Sequence, residues 1–172
     1  ALPVAFAKPV GGDDDVRSVQ RLVLPPGKNA EWVAAEYLRV LHQLVFGLIR
    51  VEIAAFADPA SHSGQTVRGE VCRFRLWGTR LVFLELTRAR EHGASDRQLF
   101  SITGGILARK GRRGRLEFSE ARGLGVILSA IHDFQPRLPW LVYTLTQAKL
   151  HLWVMRRFDR HLRSVAATSR SP

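Results

Sequence analysis

Residues 66–91 read TVRGEVCRFRLWGTRLVFLELTRARE, and the architecture of the chain turns on how these positions alternate. Cys72, Phe74 and Leu76 share one face of the first half, and Arg73 and Arg75 the other. Val82, Leu84 and Leu86 repeat that period of two in the second half, as a half-buried strand requires. Gly78 sits between the halves, so Thr66–Trp77 and Thr79–Glu91 read as two long strands joined by a tight turn. The same signal continues outward. Upstream, Leu48–Phe56 is rich in β-formers and stops at Asp58-Pro59, before a polar loop over 60–65. Downstream, Gln98–Ala108 and Arg115–Ala121 flank the turn Arg109-Lys110-Gly111-Arg112-Arg113-Gly114, and Gly123-Leu124-Gly125 opens a last run, Val126–Phe134. Six consecutive strands with short connections predict an antiparallel meander and exclude a parallel βαβ sheet.

The flanks complete the order of elements. Arg17–Leu24 alternates and stops at Pro25-Pro26-Gly27, a short first strand. Asn29 is a good helix N-cap, with Glu31 in the first turn near the positive end of the helix dipole. Val33, Tyr37, Leu41, Leu44 and Leu48 recur at helical spacing, and Gly47 is placed to end a helix over Asn29–Phe46. After Pro136 and Pro139, Trp140–Arg163 is the strongest helix in the chain. Its apolar arc runs through Leu141, Leu145, Ala148, Leu152, Met155 and Leu162, beside a basic stripe of Lys149, Arg156, Arg160 and Arg163. The expected fold is therefore α+β: a curved antiparallel sheet of six or seven strands wrapped around a long C-terminal helix. Residues 16–165 form one domain in this reading, between tails at 1–15 and 166–172. The run Asp13-Asp14-Asp15 suits no core, and Lys8-Pro9 interrupts the apolar stretch that a signal peptide would need.

Composition narrows the functional classes. A chain of 172 residues with 46% hydrophobic and 24% charged residues can bury roughly 70% of its unfolded surface, which excludes a wholly disordered chain. Cys72 is the single cysteine, so there is no internal disulfide framework or Cys-rich zinc module, and the usage suits a reducing, cytoplasmic setting. No apolar run reaches eighteen residues, the length of a spanning helix. The net charge of +11 is unevenly placed: residues 1–60 carry −1 and residues 61–172 carry +12, with 22 Arg against 4 Lys overall. Such a field attracts nucleic acid, anionic lipid or an acidic partner, and peripheral membrane contact is one of its expected outcomes.

The order strand, helix, six antiparallel strands, long terminal helix resembles the helix-grip fold of the START-like superfamily, which includes polyketide cyclases and lipid-transfer proteins. The resemblance spans about residues 16–165 and rests on topology, with no diagnostic motif. It implies a cavity between sheet and terminal helix that takes a hydrophobic or amphipathic small molecule, as a carrier or ligand-binding domain. The single helix Asn29–Phe46 departs from the two short helices usual in that family. A hot-dog fold, in which the sheet wraps the early helix, is the rival arrangement and would suit acyl-thioester chemistry; a cyclase or thioesterase-like enzyme on the same or a hot-dog scaffold is the second functional class. A third class is a basic module for nucleic acid or anionic membranes.

Catalytic signatures are missing: the chain has no Gly-x-Ser-x-Gly elbow, no His-Glu-x-x-His helix and no P-loop. The six histidines do not form a metal-ligand set, and no cofactor is implied. Gly104-Gly105 falls within an apolar strand and is expected to mark a bulge. His132 and Asp133 are neighbours in a strand and so should face opposite sides. Two sets of site residues remain. Arg109, Lys110, Arg112, Arg113 and Arg115 put five cations into seven positions of one turn, a grip for the phosphates of lipid or nucleic acid. Thr144 and His151 interrupt the apolar arc of the terminal helix at i and i+7, with Gln147 and Tyr143 at its margin. Polar groups among apolar walls orient a ligand in a cavity, and these four are the expected ligand-binding residues.

Overall fold

The computed structural model describes residues 16–58, 67–89, 95–108, 114–134 and 147–169. Seven strands form one curved sheet: β1 (Val16–Val23), β2 (Ile49–Asp58), β3 (Val67–Leu76), β4 (Val82–Ala89), β5 (Arg97–Gly104), β6 (Arg115–Ala121) and β7 (Val126–Phe134). Helix α1 (Ala30–Leu44) follows β1, and helix α2 (Gln147–Thr168) follows β7. The spatial order is β1-β7-β6-β5-β4-β3-β2, and every neighbouring pair is antiparallel. Strands β2 to β7 are the expected meander. The first strand returns to pair with the last, so β1 and β2 are the two edges.

Register puts the apolar side chains of every strand on one surface. Val51, Phe74 and Leu84 lie side by side across β2–β4, and Leu116 opposes Ile131 across β6–β7. Burial follows: Cys72, Leu86, Phe100, Phe118 and Ile127 are almost fully enclosed. Helix α1 covers the middle of this concave face. It packs on β2, β5 and β6, while α2 lies against β1 and α1. The sheet thus carries both helices, rather than gripping the terminal one alone. Each helix buries its own stripe: Val33, Ala34, Tyr37, Val40, Leu41 and Leu44 on α1, and Val154, Met155, Phe158, Leu162 and Ala166 on α2. At roughly 1.5–3 kcal/mol for each large side chain removed from water, these stripes and the concave face are the main source of stability.

Two expectations about α2 change. The helix continues to Thr168, five residues beyond Arg163, because Ala166 still has apolar surface to bury; the expected loose end at 166–168 is helical. The buried stripe runs through Val154 and Phe158, leaving Leu152 half-buried, since the neighbours it faces are α1 and β1 rather than the centre of the sheet. The start expected near Trp140 lies outside the described residues, as do Leu141 and Leu145. The basic stripe is as expected, with Lys149, Arg156, Arg160 and Arg163 exposed.

The N-terminus of α1 is doubly capped. Asn29 Oδ1 accepts from the Trp32 N–H at 2.9 Å, and Glu120 on β6 accepts from the Ala30 N–H at 2.8 Å. The second cap pins the helix to the sheet. At the far end the helix stops at Leu44, two residues before the expected Phe46, and Phe46 and Gly47 are both left-handed (φ 55° and 74°), which turns the chain toward β2.

Register slips between Glu85 and Leu86 in the β4–β5 pair, where Glu85 opposes Gly104 and Leu86 opposes Ile102. This is the bulge expected at the paired glycines. Gly105 has φ 105°, and a Cβ there would overlap the Phe83 carbonyl. Gly105→Ala is expected to cost about 2–4 kcal/mol in chemical denaturation, through backbone strain and overlap together.

Candidate functional site

The two helices do not close the concave face completely. Between them and the strands lies a cavity of about 350 Å³. Tyr37, Leu41 and Val45 line it from α1, and Phe74, Leu84, Leu86 and Ile102 from the sheet. Leu150, His151 and Val154 close it from α2, and Ile49, Phe83 and Leu107 stand at one end. The walls are aliphatic and aromatic, and His151 and Tyr37 are the lining residues that carry a polar side-chain group. The volume is at the small end of the range for ligand pockets.

His151 of α2 is among the residues that line this cavity. The ring keeps some surface open to the cavity while apolar groups surround it. That environment disfavours the imidazolium and brings its pKa from 6.5 down to about 4. His151 is therefore neutral near pH 7, with one ring nitrogen a donor and the other an acceptor. Tyr37 is held from both sides, by Phe118 with ring centroids at 5.7 Å and by Phe158 at 5.2 Å. Burial pushes its hydroxyl up to about 12, so it also remains neutral. Among the described residues neither group hydrogen-bonds to protein. A neutral imidazole and a phenol can exchange hydrogen bonds with an uncharged polar group and position it; they do not form an ion-pair site for an anion.

The other expected ligand-binding residues are not all visible. Tyr143 and Thr144 lie outside the described residues. Gln147 is the first described residue of α2, and its side chain is not among those described. Of the basic turn, Arg109, Lys110, Arg112 and Arg113 lie outside the described residues; Arg115 is exposed on β6, paired with Ser101 and His132. Tyr37 was read only as part of a helical stripe. Its phenol was the signal, because a buried tyrosine hydroxyl needs a partner.

Other titratable groups are structural. Cys72 is fully buried and its thiol is pushed up to about 11, chiefly by burial, which makes it a poor nucleophile. His132 and Asp133 do not simply alternate: Asp133 is left-handed (φ 51°), near a slip in the β1–β7 register, and His132 Nε2 lies 3.7 Å from Glu117 Oε2. No group of three or more His, Cys, Asp or Glu able to hold a metal occurs among the described residues. No helix among them is long and apolar enough to cross a membrane. Compared with protein-family models and with curated proteins, the chain matches none.

His161 near the end of α2 meets Glu36 on α1 at 2.7 Å. Arg39 holds the same carboxylate through Nε at 2.7 Å and Nη2 at 2.6 Å. Arg39 first, and then His161, lowers the Glu36 pKa against the opposing effect of burial. Glu36→Leu should cost about 1–3 kcal/mol in urea unfolding, because it leaves His161 without its partner between the helices. Glu36 titrates at a lower pH folded than unfolded, so its contribution is full above 4.5 and is lost as pH falls through the depressed value. The variant should lack that part of the acid dependence.

Proposed function

We propose that this chain is a carrier or ligand-binding domain that takes one small hydrophobic or amphipathic molecule into the cavity between sheet and helices. The observation that carries the reading is that His151 and Tyr37, two neutral polar side chains with no hydrogen-bond partner among the described residues, line an otherwise apolar cavity. A buried polar group without a hydrogen bond costs about 1–3 kcal/mol, and a ligand oxygen that meets it recovers the loss. The strand order and the packed terminal helix are compatible with the helix-grip arrangement, and membership of the START-like superfamily is part of this proposal. The favoured occupant is an apolar skeleton bearing a hydroxyl or carbonyl group, since neutral hydrogen-bonding partners discriminate against an unpaired charge.

Native mass spectrometry of the purified protein, and after incubation with long-chain alcohols and aromatic ketones, should show a one-to-one adduct. His151→Leu should abolish binding of the oxygen-bearing compounds while preserving stability or raising it by up to about 1–3 kcal/mol. A variant that unfolds, or a wild type that takes up neither compound class, would sink the reading. The proton linkage offers a second check. The folded pKa of His151 lies below its unfolded value, so the unfolded chain binds the proton more readily between pH 6.5 and about 4. The contribution of His151 is complete above pH 6.5 and falls away toward pH 4, by on the order of 3 kcal/mol. The melting temperature of His151→Leu should fall less than that of the wild type across this window.

A further inference from the structure

One end of the molecule exposes large apolar side chains that no core explains. Trp77 at the β3–β4 turn is 73% exposed and Phe46 after α1 is 71% exposed; Leu48, Leu81, Leu150 and Ile106 are between 40% and 59%. They are neighbours in space. The Trp77 N–H donates to the Leu48 carbonyl at 2.9 Å, Ile106 N–H to the Val82 carbonyl at 3.0 Å, and Phe46 lies 5.5 Å from Trp153 of α2. The mouth of the cavity opens among them, since Val45, Ile49, Leu107 and Leu150 line it.

The charge at this end is predominantly positive. Residues 39–51, 75–83, 104–108 and 147–157 contain seven Arg or Lys and no Asp or Glu. Arg39 and Arg75 pair with Glu36 and Glu52 just outside these segments. No carboxylate pairs with Arg50, Arg80, Lys149, Arg156 or Arg157 among the described residues. Arg157 lies over both aromatic rings, 4.6 Å from the centre of Phe46 and 4.9 Å from that of Trp153. The opposite end is mixed: Leu124 is exposed there, but Arg122 pairs with Asp96 and Glu120 caps α1.

We infer that this rim is a docking surface for an anionic lipid bilayer, with Trp77 and Phe46 seated in the headgroup region and the unpaired cations against lipid phosphates and carboxylates. Aromatic side chains on turn tips suit the membrane interface, whose depth accommodates an irregular protruding rim. A surface whose unpaired charges are all cationic suits a uniformly anionic plane, whereas a protein partner would have to supply matching carboxylates at each position. The residues named here are other than those of the Arg109–Arg115 turn singled out in the sequence. Delivery of a ligand from bilayer to cavity would rest on the proposed function, but docking does not.

Co-sedimentation with vesicles tests docking separately from ligand uptake. Binding to phosphatidylcholine vesicles containing phosphatidylserine should exceed binding to phosphatidylcholine alone by about tenfold or more, and should fall as salt is raised. Replacing Arg50 and Arg80 with Ser should lower binding about tenfold or more. Trp77→Ser with Phe46→Ser should lower it further, at an unchanged melting temperature. If that apolar variant is unstable, the arginine variant decides alone. Leu124→Ser with Arg122→Ser, at the other end, should have no effect. Equal loss in that control, equal binding to neutral vesicles, or a rim that mediates self-association without binding vesicles would each overturn the inference.

Discussion

The contact on which the rest of the structure depends is the tilted and edge-to-face cluster of Phe118, Tyr37 and Phe158, one ring each from β6, α1 and α2. A sheet with one apolar face must be covered, and this curved surface is wide enough for two helices. Tyr37 lies where sheet, first helix and second helix meet. A short distance away, Glu36 ties the two helices together again through His161, with Arg39 completing the carboxylate's shell. The hydrophobic cluster supplies contact area. The polar bridge restricts which arrangement of the helices is allowed, because a buried carboxylate that loses its partners is costly.

The cavity follows from the limits of that packing. Around Tyr37 the rings fill the space, while farther along α1 the side chains are Leu41 and Val45, facing Val154 and His151 on α2. Leucine and valine do not reach across the gap that three aromatic rings fill. Free volume therefore remains beside the aromatic joint, and Tyr37 is at its edge. The same packing places the cavity toward the C-terminal end of α1, where the chain turns through Phe46 and Gly47 into the edge strand.

The two ends of the molecule differ in chemistry. Near the start of α1, capping by Asn29 and Glu120 and the pairing of Arg122 with Asp96 satisfy polar groups within the protein. On the apolar face of the sheet toward that end, Arg88 is buried with Glu70 and Gln98 as partners and lies 5.6 Å from the centre of Phe100. Near the cavity mouth the turns carry tryptophan, phenylalanine and leucine among cations. The asymmetry aligns the cavity with the surface best suited to an apolar environment, and it relates the proposed cargo to the proposed docking face.

The strands were legible from local pattern because each exposes one face to the core, so residues two apart share an environment. Arg115–Ala121 and Val126–Phe134 have the same limits in sequence and structure. The cap at Asn29 and the bulge at Gly104-Gly105 were legible for an equally local reason, the conformational demands of a helix start and a crowded backbone. His151 was legible as a polar residue on an apolar arc. The burial of Val154 and Phe158 depended on where α1 already lay, so helical periodicity alone placed the stripe too near Leu152. Glu36 and His161 are 125 residues apart, and nothing local marks them as partners. The same holds for Tyr37 and His151, which meet at one cavity only because the sheet brings their helices together. Period and capping are written in neighbouring residues, whereas a cavity and its polar groups are defined by the space left between elements, which exists only after those elements have packed.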